Sequence, residues 1–328
     1  MKKMYLSETD KKVSGVCGGI AEFFDIDSTL IRLIWVILSL FTTGFPGLIA
    51  YIIAALIIPK RQENVYRLIA VDLDDSLLGS DGKISRANKD ALFAARDKGV
   101  HVTIATGRML DSAMPFIEEM KIDIPVITYQ GAFIKDIHTG ETLVRKSVPM
   151  DYVHRIIDEC KKRNLHLQAY NESTYFFEQD NEYSRYYHRM SGIQGQEAGD
   201  LKQFLEEEPM KLLVIADPLI IQKNLEGFQQ QFGDQLQVLI SRPPYLEFTN
   251  GEATKGKALA KLSGMLDIPR EEIIAIGDSF NDISMIDYAG LGVAMGNAPE
   301  EVKSYAKYIS RGNDEDGVAD VVERFILG

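Results

Sequence analysis

The stretch Leu68-Ile69-Ala70-Val71-Asp72-Leu73-Asp74-Asp75-Ser76 decides how the rest of the chain is read. Four consecutive apolar residues have the length of a buried strand rather than a helix, and they run straight into a group of acids. While the backbone stays extended, residues two apart share a face, so Asp72 and Asp74 point into one pocket and Asp75 points away. In open α/β sheets ligands gather beyond the carboxyl ends of the strands, which is where these carboxylates fall.

Further strand-like runs at Val100–Ala105, Val126–Thr128, Ile273–Ile276 and Gly292–Ala294 alternate with helical patterns at Ser85–Lys98, Asp111–Met120, Lys257–Leu266 and Glu300–Lys307. This alternation predicts an α/β fold, a Rossmann-like parallel sheet flanked by helices. Residues 149–250 break the rhythm with helix, two strands, helix, strand, helix, two strands, and read as an inserted α+β domain. The core is then 66–148 together with 251–328.

Three other strand ends carry chemistry. Thr106-Gly107-Arg108 offers a hydroxyl beside a glycine that permits close backbone approach. Thr254-Lys255-Gly256 places an ammonium near a helix N-terminus, where free amides attract anions. Gly277-Asp278-Ser279-Phe280-Asn281-Asp282 supplies two more carboxylates. Two carboxylates about 5 Å apart repel by roughly 3 kcal/mol at an effective dielectric of about 20, and a bound cation relieves this. Hard oxygen donors without cysteine or a nearby histidine favour Mg2+. His101, His138, His154, His166 and His188 form no spaced metal motif. Gly251 to Ala258 approaches the phosphate-loop pattern GxxxxGK[ST], but Ala258 lacks the hydroxyl that should reach Mg2+.

The formal net charge of −12 over 328 residues argues against a nucleic-acid partner, since phosphates require clustered Lys and Arg. Two distant cysteines, Cys17 and Cys160, point to free thiols in a reducing compartment. The charge is uneven. Residues 1–62 hold seven bases and five acids, against 29 and 43 in the remainder. Within this head, Leu33 to Pro59 is 27 residues without a charge. As one helix it would be about 40 Å long against a hydrocarbon core of about 30 Å, enough for a transmembrane helix. Thr42-Thr43-Gly44-Phe45-Pro46-Gly47 interrupts it, so two arms, Leu33 to Phe41 and Leu48 to Ile58, form an alternative re-entrant hairpin. Either way the expectation is a short helical membrane segment over residues 31–59.

The head, with GVCGGIAEFFDID and GLIAYIIAALIIP, resembles the phage-shock-protein C (PspC) domain over residues 3–61. That resemblance implies a membrane domain at 1–62 and envelope-stress protein partners. Residues 66–328 resemble the haloacid dehalogenase superfamily, in particular its Cof-type phosphatases, through VDLDDSLL, TIATGR, ATKGKAL and IGDSFNDISMI. The resemblance implies that Asp72 is the nucleophile and Asp74 the general acid and base. It implies phosphoryl binding by Thr106, Gly107, Lys255 and Asn281, and a Mg2+ site of Asp72, Asp74 through its backbone carbonyl, Asp278 and Asp282. It makes 149–250 a substrate-selecting cap, with Tyr175, Arg185 and Arg189 as candidate substrate contacts. As a general acid, Asp74 should be uncharged when substrate arrives. Three positions depart from the pattern: Asp75-Ser76 for Gly-Thr, Gln130 for asparagine, and Phe280 for a polar residue.

The expected protein is thus a Mg2+-dependent phosphatase of small phosphorylated metabolites, such as sugar phosphates, on the cytoplasmic membrane with its catalytic domain facing the cytosol. The rival is a non-enzymatic envelope-stress regulator whose body senses a phosphorylated ligand.

Overall fold

The computed structural model describes residues 4–7, 10–41, 45–58 and 66–328. Contacts divide the chain into two units, Met1–Val65 and Tyr66–Gly328.

The first unit contains α1 (Val16–Phe24), α2 (Ser28–Phe41) and α3 (Phe45–Ile57). Its glycine-rich run permits a close approach: a Cβ at Gly19 would lie 1.9 Å from the Tyr5 carbonyl oxygen, and one at Gly15 would lie 2.2 Å from that of Ser7. Helices α2 and α3 pack together through the Trp35 ring, edge-on to Tyr51 at 5.6 Å. The Trp35 indole N–H donates to the Gly47 carbonyl at 3.3 Å. The apolar run is therefore split between helices of 14 and 13 residues. Each is about 20 Å long, short of the roughly 30 Å hydrocarbon core. Among the described residues no helix is long and apolar enough to cross a membrane, so the expected transmembrane helix is not supported. Thr42–Gly44, where the sequence places the break, and Pro59 lie outside the described residues.

The second unit opens with β1 (Leu68–Val71), α4 (Arg86–Asp97), β2 (His101–Ile104), α5 (Leu110–Glu119), β3 (Val126–Thr128), β4 (Phe133–Lys135) and β5 (Thr142–Arg145). The inserted block follows as α6 (Met150–Lys162), β6 (His166–Tyr170), β7 (Tyr175–Phe177), α7 (Glu182–Ser191), β8 (Gln196–Glu197), α8 (Leu201–Phe204), β9 (Lys211–Ile215), α9 (Pro218–Phe232), β10 (Leu236–Arg242) and β11 (Tyr245–Asn250). The chain then returns through α10 (Lys255–Met265), β12 (Ile273–Gly277), α11 (Ile283–Tyr288), β13 (Leu291–Ala294), α12 (Glu300–Lys303), β14 (Tyr308–Ile309) and α13 (Gly317–Val322).

The core sheet is parallel, in the order β14-β13-β12-β1-β2. β1 lies at its interior and is buried along its whole length, as the unbroken apolar run requires. The inserted block forms a second sheet, β10-β11-β9-β6-β7-β8, and β3, β4 and β5 form a third. One face of the cap sheet, with Leu212, Val214, Leu246 and Phe248, packs with Ile156, Phe228 and Phe232 of α6 and α9. Alternation turns Leu213, Ile215 and Tyr245 to the other face, where they join the cluster of the core. Helix α12 ends at Lys303, short of the expected Lys307. The following residues instead lead into the edge strand, with the Lys307 N–H donating to the Gly292 carbonyl at 2.9 Å. The short β8 and α8 have too few residues to show a period in the sequence.

The turn after β3 is a close junction between the core segments. Tyr129, Gln130 and Gly131 all have positive φ, 53°, 59° and 94°. A Cβ at Gly131 would lie 2.3 Å from the Thr254 carbonyl oxygen, so only glycine lets this turn rest on the start of α10. Gly131→Ala is expected to lower stability by about 1–3 kcal/mol, seen as a lower urea midpoint. An unchanged midpoint would mean that the contact is not needed.

Candidate active site

Asp72 leaves the buried end of β1, and its backbone N–H donates to the Ile276 carbonyl of β12 at 2.9 Å. The extended backbone continues only to Asp74; Asp75 takes φ 57° and turns the chain. Asp75 is exposed, at the edge of the pocket that Asp72 and Asp74 line. The turn is held by Asn297, whose Nδ2 donates to the Asp75 carbonyl at 2.8 Å. Ser76 Oγ donates to Asp278 Oδ1 at 2.8 Å, so the two departures from the family pattern are both accommodated.

Lys255, fully buried at the first turn of α10, places its Nζ 2.6 Å from Asp72 Oδ1 and 2.6 Å from Asp282 Oδ1. Thr254 caps this helix by accepting the Lys257 N–H at 3.1 Å. Burial opposes charge on Lys255, but Asp282 and Asp72 outweigh it and hold the ammonium above the ordinary lysine range. The other oxygen of Asp282 accepts the backbone N–H groups of Asp278 and Ser279, at 3.1 and 3.0 Å. Both oxygens of Asp282 are thus engaged, and it does not line the pocket.

Asp72, Asp278 and Asp282 each offer a carboxylate oxygen within 4.8 Å of one another. Burial, opposed by Lys255, raises Asp72 well above the carboxylate range, and the neighbouring carboxylates add to the rise. Burial and Asp282 push Asp278 up to about 7. Crowded, desolvated carboxylates of this kind fit a hard divalent cation, which would remove the repulsion that the protons otherwise remove.

Asp74 differs. Burial would raise its pKa, but Arg108 and Arg242 prevail and hold the carboxyl below its ordinary value. Arg108 is bidentate, Nε to Oδ2 at 2.8 Å and Nη2 to Oδ1 at 2.7 Å, while Arg242 reaches Oδ1 at 2.8 Å. In this state Asp74 is ionised, not the uncharged acid expected from its role.

Gly107 lines the pocket, and a Cβ there would lie 2.2 Å from Gln130 Nε2. Thr106 is fully buried, its Oγ1 accepting the Arg108 N–H at 3.1 Å. Asn281 donates to Gln130 Oε1 at 2.8 Å, and its own Oδ1 is buried without a partner. Gln130 in turn donates to Glu247 of the cap at 3.3 Å. Phe280 is half exposed.

The cap candidates do not meet this site. Tyr175 is fully buried, its hydroxyl donating to the Ile193 carbonyl at 3.1 Å. Arg185 pairs with Asp180 at 2.8 Å, and neither it nor Arg189 lines the pocket. The cap instead supplies Tyr187, Met190, Lys211, Ser241, Arg242, Tyr245 and Glu247. Lys211 and Glu247 are both buried and lie 3.1 Å apart. A charged residue inside the otherwise apolar Lys211–Ile215 and Tyr245–Phe248 runs was the available signal, since buried charges are seldom unpaired.

A parallel sheet with four loops converging on a carboxylate–lysine cluster, closed by an inserted cap, defines a capped phosphohydrolase. The chain belongs to the haloacid dehalogenase-like hydrolases, the family matched over residues 69–322. Residues 2–61 match the PspC domain. The chain is 33% identical over 270 residues to the Bacillus subtilis 5-amino-6-(5-phospho-D-ribitylamino)uracil phosphatase YcsE, covering 82% of this chain and 99% of that protein. It is 27% identical to the Escherichia coli pyridoxal phosphate phosphatase YbhA, covering 80% and 99%. Among solved structures, a haloacid dehalogenase-like hydrolase from Bacteroides thetaiotaomicron superposes with a TM-score of 0.73 at 29% identity, covering 80% of this chain and all of that one. The protein is a phosphatase of small phosphorylated substrates.

In the folded metal-free chain Asp278 keeps its proton up to about pH 7, whereas unfolded it would lose it near 3.8. The folded state then binds more protons, so this group removes stability as pH rises through that window. A cation at the triad would replace the proton. Mg2+ is therefore expected to raise the thermal midpoint more at about pH 8 than at about pH 5.5, and Asp278→Asn to abolish the difference. Equal shifts at both pH values would count against the site.

Proposed function

We propose that the protein hydrolyses small phosphomonoesters with Mg2+ through an aspartyl phosphate, and that Asp72 is the nucleophile. The observation that carries this reading is the buried Asp72 at a strand end, one oxygen fixed by Lys255 and the pocket beside it. With Oδ1 held, Oδ2 attacks phosphorus; the ester P–O bond breaks and Asp74 delivers a proton to the leaving oxygen. Water then attacks the aspartyl phosphate, Asp74 takes its proton, and inorganic phosphate leaves.

Asp74 is held ionised by Arg108 and Arg242, so it takes up its proton only once those contacts loosen around a substrate. Thr106, the backbone at Gly107, Lys255 and the Asn281 side-chain N–H donors hold the phosphoryl oxygens. Asp72, Asp278 and the Asp74 carbonyl would hold Mg2+, with Asp282 behind them. The cation there would neutralise carboxylate repulsion and screen phosphoryl charge. A purely sensing body would need no nucleophile.

The relatives named above act on a phosphoribitylamino-uracil and on pyridoxal phosphate. Tyr187 and Tyr245 on one wall of this pocket suit a leaving group of that size with a planar ring. Sugar phosphates remain within the same class.

Residues 31–59 are proposed to tether the protein to the cytoplasmic membrane, with the catalytic body in the cytosol. Support comes from the PspC match and from exposed apolar residues on α2 and α3, including Leu33, Leu38, Leu40, Leu48, Leu56 and Ile57. An apolar face this extensive is unusual on a surface facing only water.

Two measurements test the reading. In a phosphate-release screen over many metabolites with Mg2+, Asp72→Asn is expected to lose activity by at least about a thousand-fold; equal release by variant and wild type would remove Asp72 from the role. The full chain is expected to sediment with membranes while residues 66–328 stay in the supernatant, and full-length protein found wholly in the supernatant would refute the tether.

A further inference from the structure

The leaving-group side of the pocket holds three cations, Arg108, Arg242 and Lys211, against two acids, Asp74 and Glu247. Lys211 is committed: its Nζ lies 3.1 Å from Glu247 Oε1 and 3.4 Å from the Gly107 carbonyl. Glu247 is saturated as well, by Lys211, Ser241 Oγ at 2.8 Å and Gln130. Arg108 is braced on the core, its guanidinium 5.0 Å from the Phe116 ring centroid and bidentate on Asp74.

Arg242 is the exception. Its hydrogen-bond partner among the described residues is Asp74, and its side chain keeps 40% exposure. Its direction is built into the strand. β10 pairs regularly with β11 up to Ile240↔Leu246, then shifts register so that Arg242 stands opposite Tyr245. In a regular strand Ser241 and Arg242 would face opposite sides of the sheet. The shift brings both to the pocket face, the re-aiming that an extra residue in a strand performs.

We propose that Arg242 is a specificity-determining residue that selects phosphomonoesters whose leaving group carries a second anionic group, a carboxylate or another phosphate. The inference rests on the phosphatase reading above and deepens it. In the present arrangement the Asp74 carboxylate occupies the place that anion would take, forked between two guanidinium groups. When Asp74 turns to the ester oxygen it leaves one of them without a partner. Arg108 retains its aromatic and backbone surroundings; Arg242 has none of these, and a substrate anion restores its pairing. A fork-shaped guanidinium meets carboxylate and phosphate equally well.

The test uses the full-length protein with Mg2+ and a broad panel of phosphomonoesters that includes matched pairs, such as 3-phosphoglycerate with glycerol 3-phosphate and fructose 1,6-bisphosphate with fructose 1-phosphate. Wild type is expected to favour the doubly charged class by at least about ten-fold in kcat/KM, carried mainly by KM. Arg242→Gln is expected to bring the ratio within pairs to about three-fold or less, and Arg242→Lys to restore part of it. Thermal midpoints of the variants check that they fold. A wild type without the preference, or an Arg242→Gln variant that weakens both classes alike with the ratio intact, overturns the inference while leaving the phosphatase reading in place. No release from any panel member, by wild type or by Asp72→Asn, overturns that reading and the inference with it.

Discussion

The catalytic body depends on one buried ammonium. Lys255 has no exposed surface and stands between Asp72 and Asp282, two carboxylates from the ends of adjacent strands. An unpaired charge in that position would be strongly destabilising, and so would either carboxylate without the lysine. The pairing therefore ties β1, β12 and the start of α10 into one arrangement. Gly131 and Gly256 serve the same end. A Cβ at Gly256 would lie 2.2 Å from the Ser284 carbonyl oxygen, so α10 can approach α11 closely enough for the ammonium to reach.

Charge is distributed unevenly on the two sides of the pocket, and the imbalance gives each carboxylate a different character. Asp72 and Asp278 sit among acids and are driven toward their protonated forms by burial and repulsion. Asp74, two residues from Asp72, sits among arginines and is driven the other way. The separation arises from the neighbours: Asp72 and Asp278 face other core carboxylates, whereas Asp74 lies between Arg108 of the core and Arg242 of the cap. The Asp74 carboxylate thus links core and cap across the pocket through Arg108 and Arg242.

Much of the core was legible because its signals are local. A four-residue apolar run before Asp72 requires a buried strand, and the acids, hydroxyl and lysine at successive strand ends require only that a parallel sheet align those ends. Boundaries such as Ser85, which caps α4 through Asn88, were visible for the same reason. The cap was harder. Its central strands β9 and β11, buried on both faces, show little polarity contrast, so the pattern does not mark Lys211 and Glu247 as partners. Tyr175 and Arg185 attracted attention through composition, yet burial and the Asp180 pair take them elsewhere.

By itself, the sequence determined the α/β alternation, the inserted block, the family resemblance and the identity of the carboxylates and lysine that meet. Only the tertiary structure decided that Asp75 turns the chain, that Asp282 braces Lys255 and that Asp74 is clasped by two arginines. The physical reason is common to these three. Each depends on a backbone turn or a pairing between residues distant in the chain, and neither side-chain periodicity nor composition records which distant groups will share a hydrogen bond.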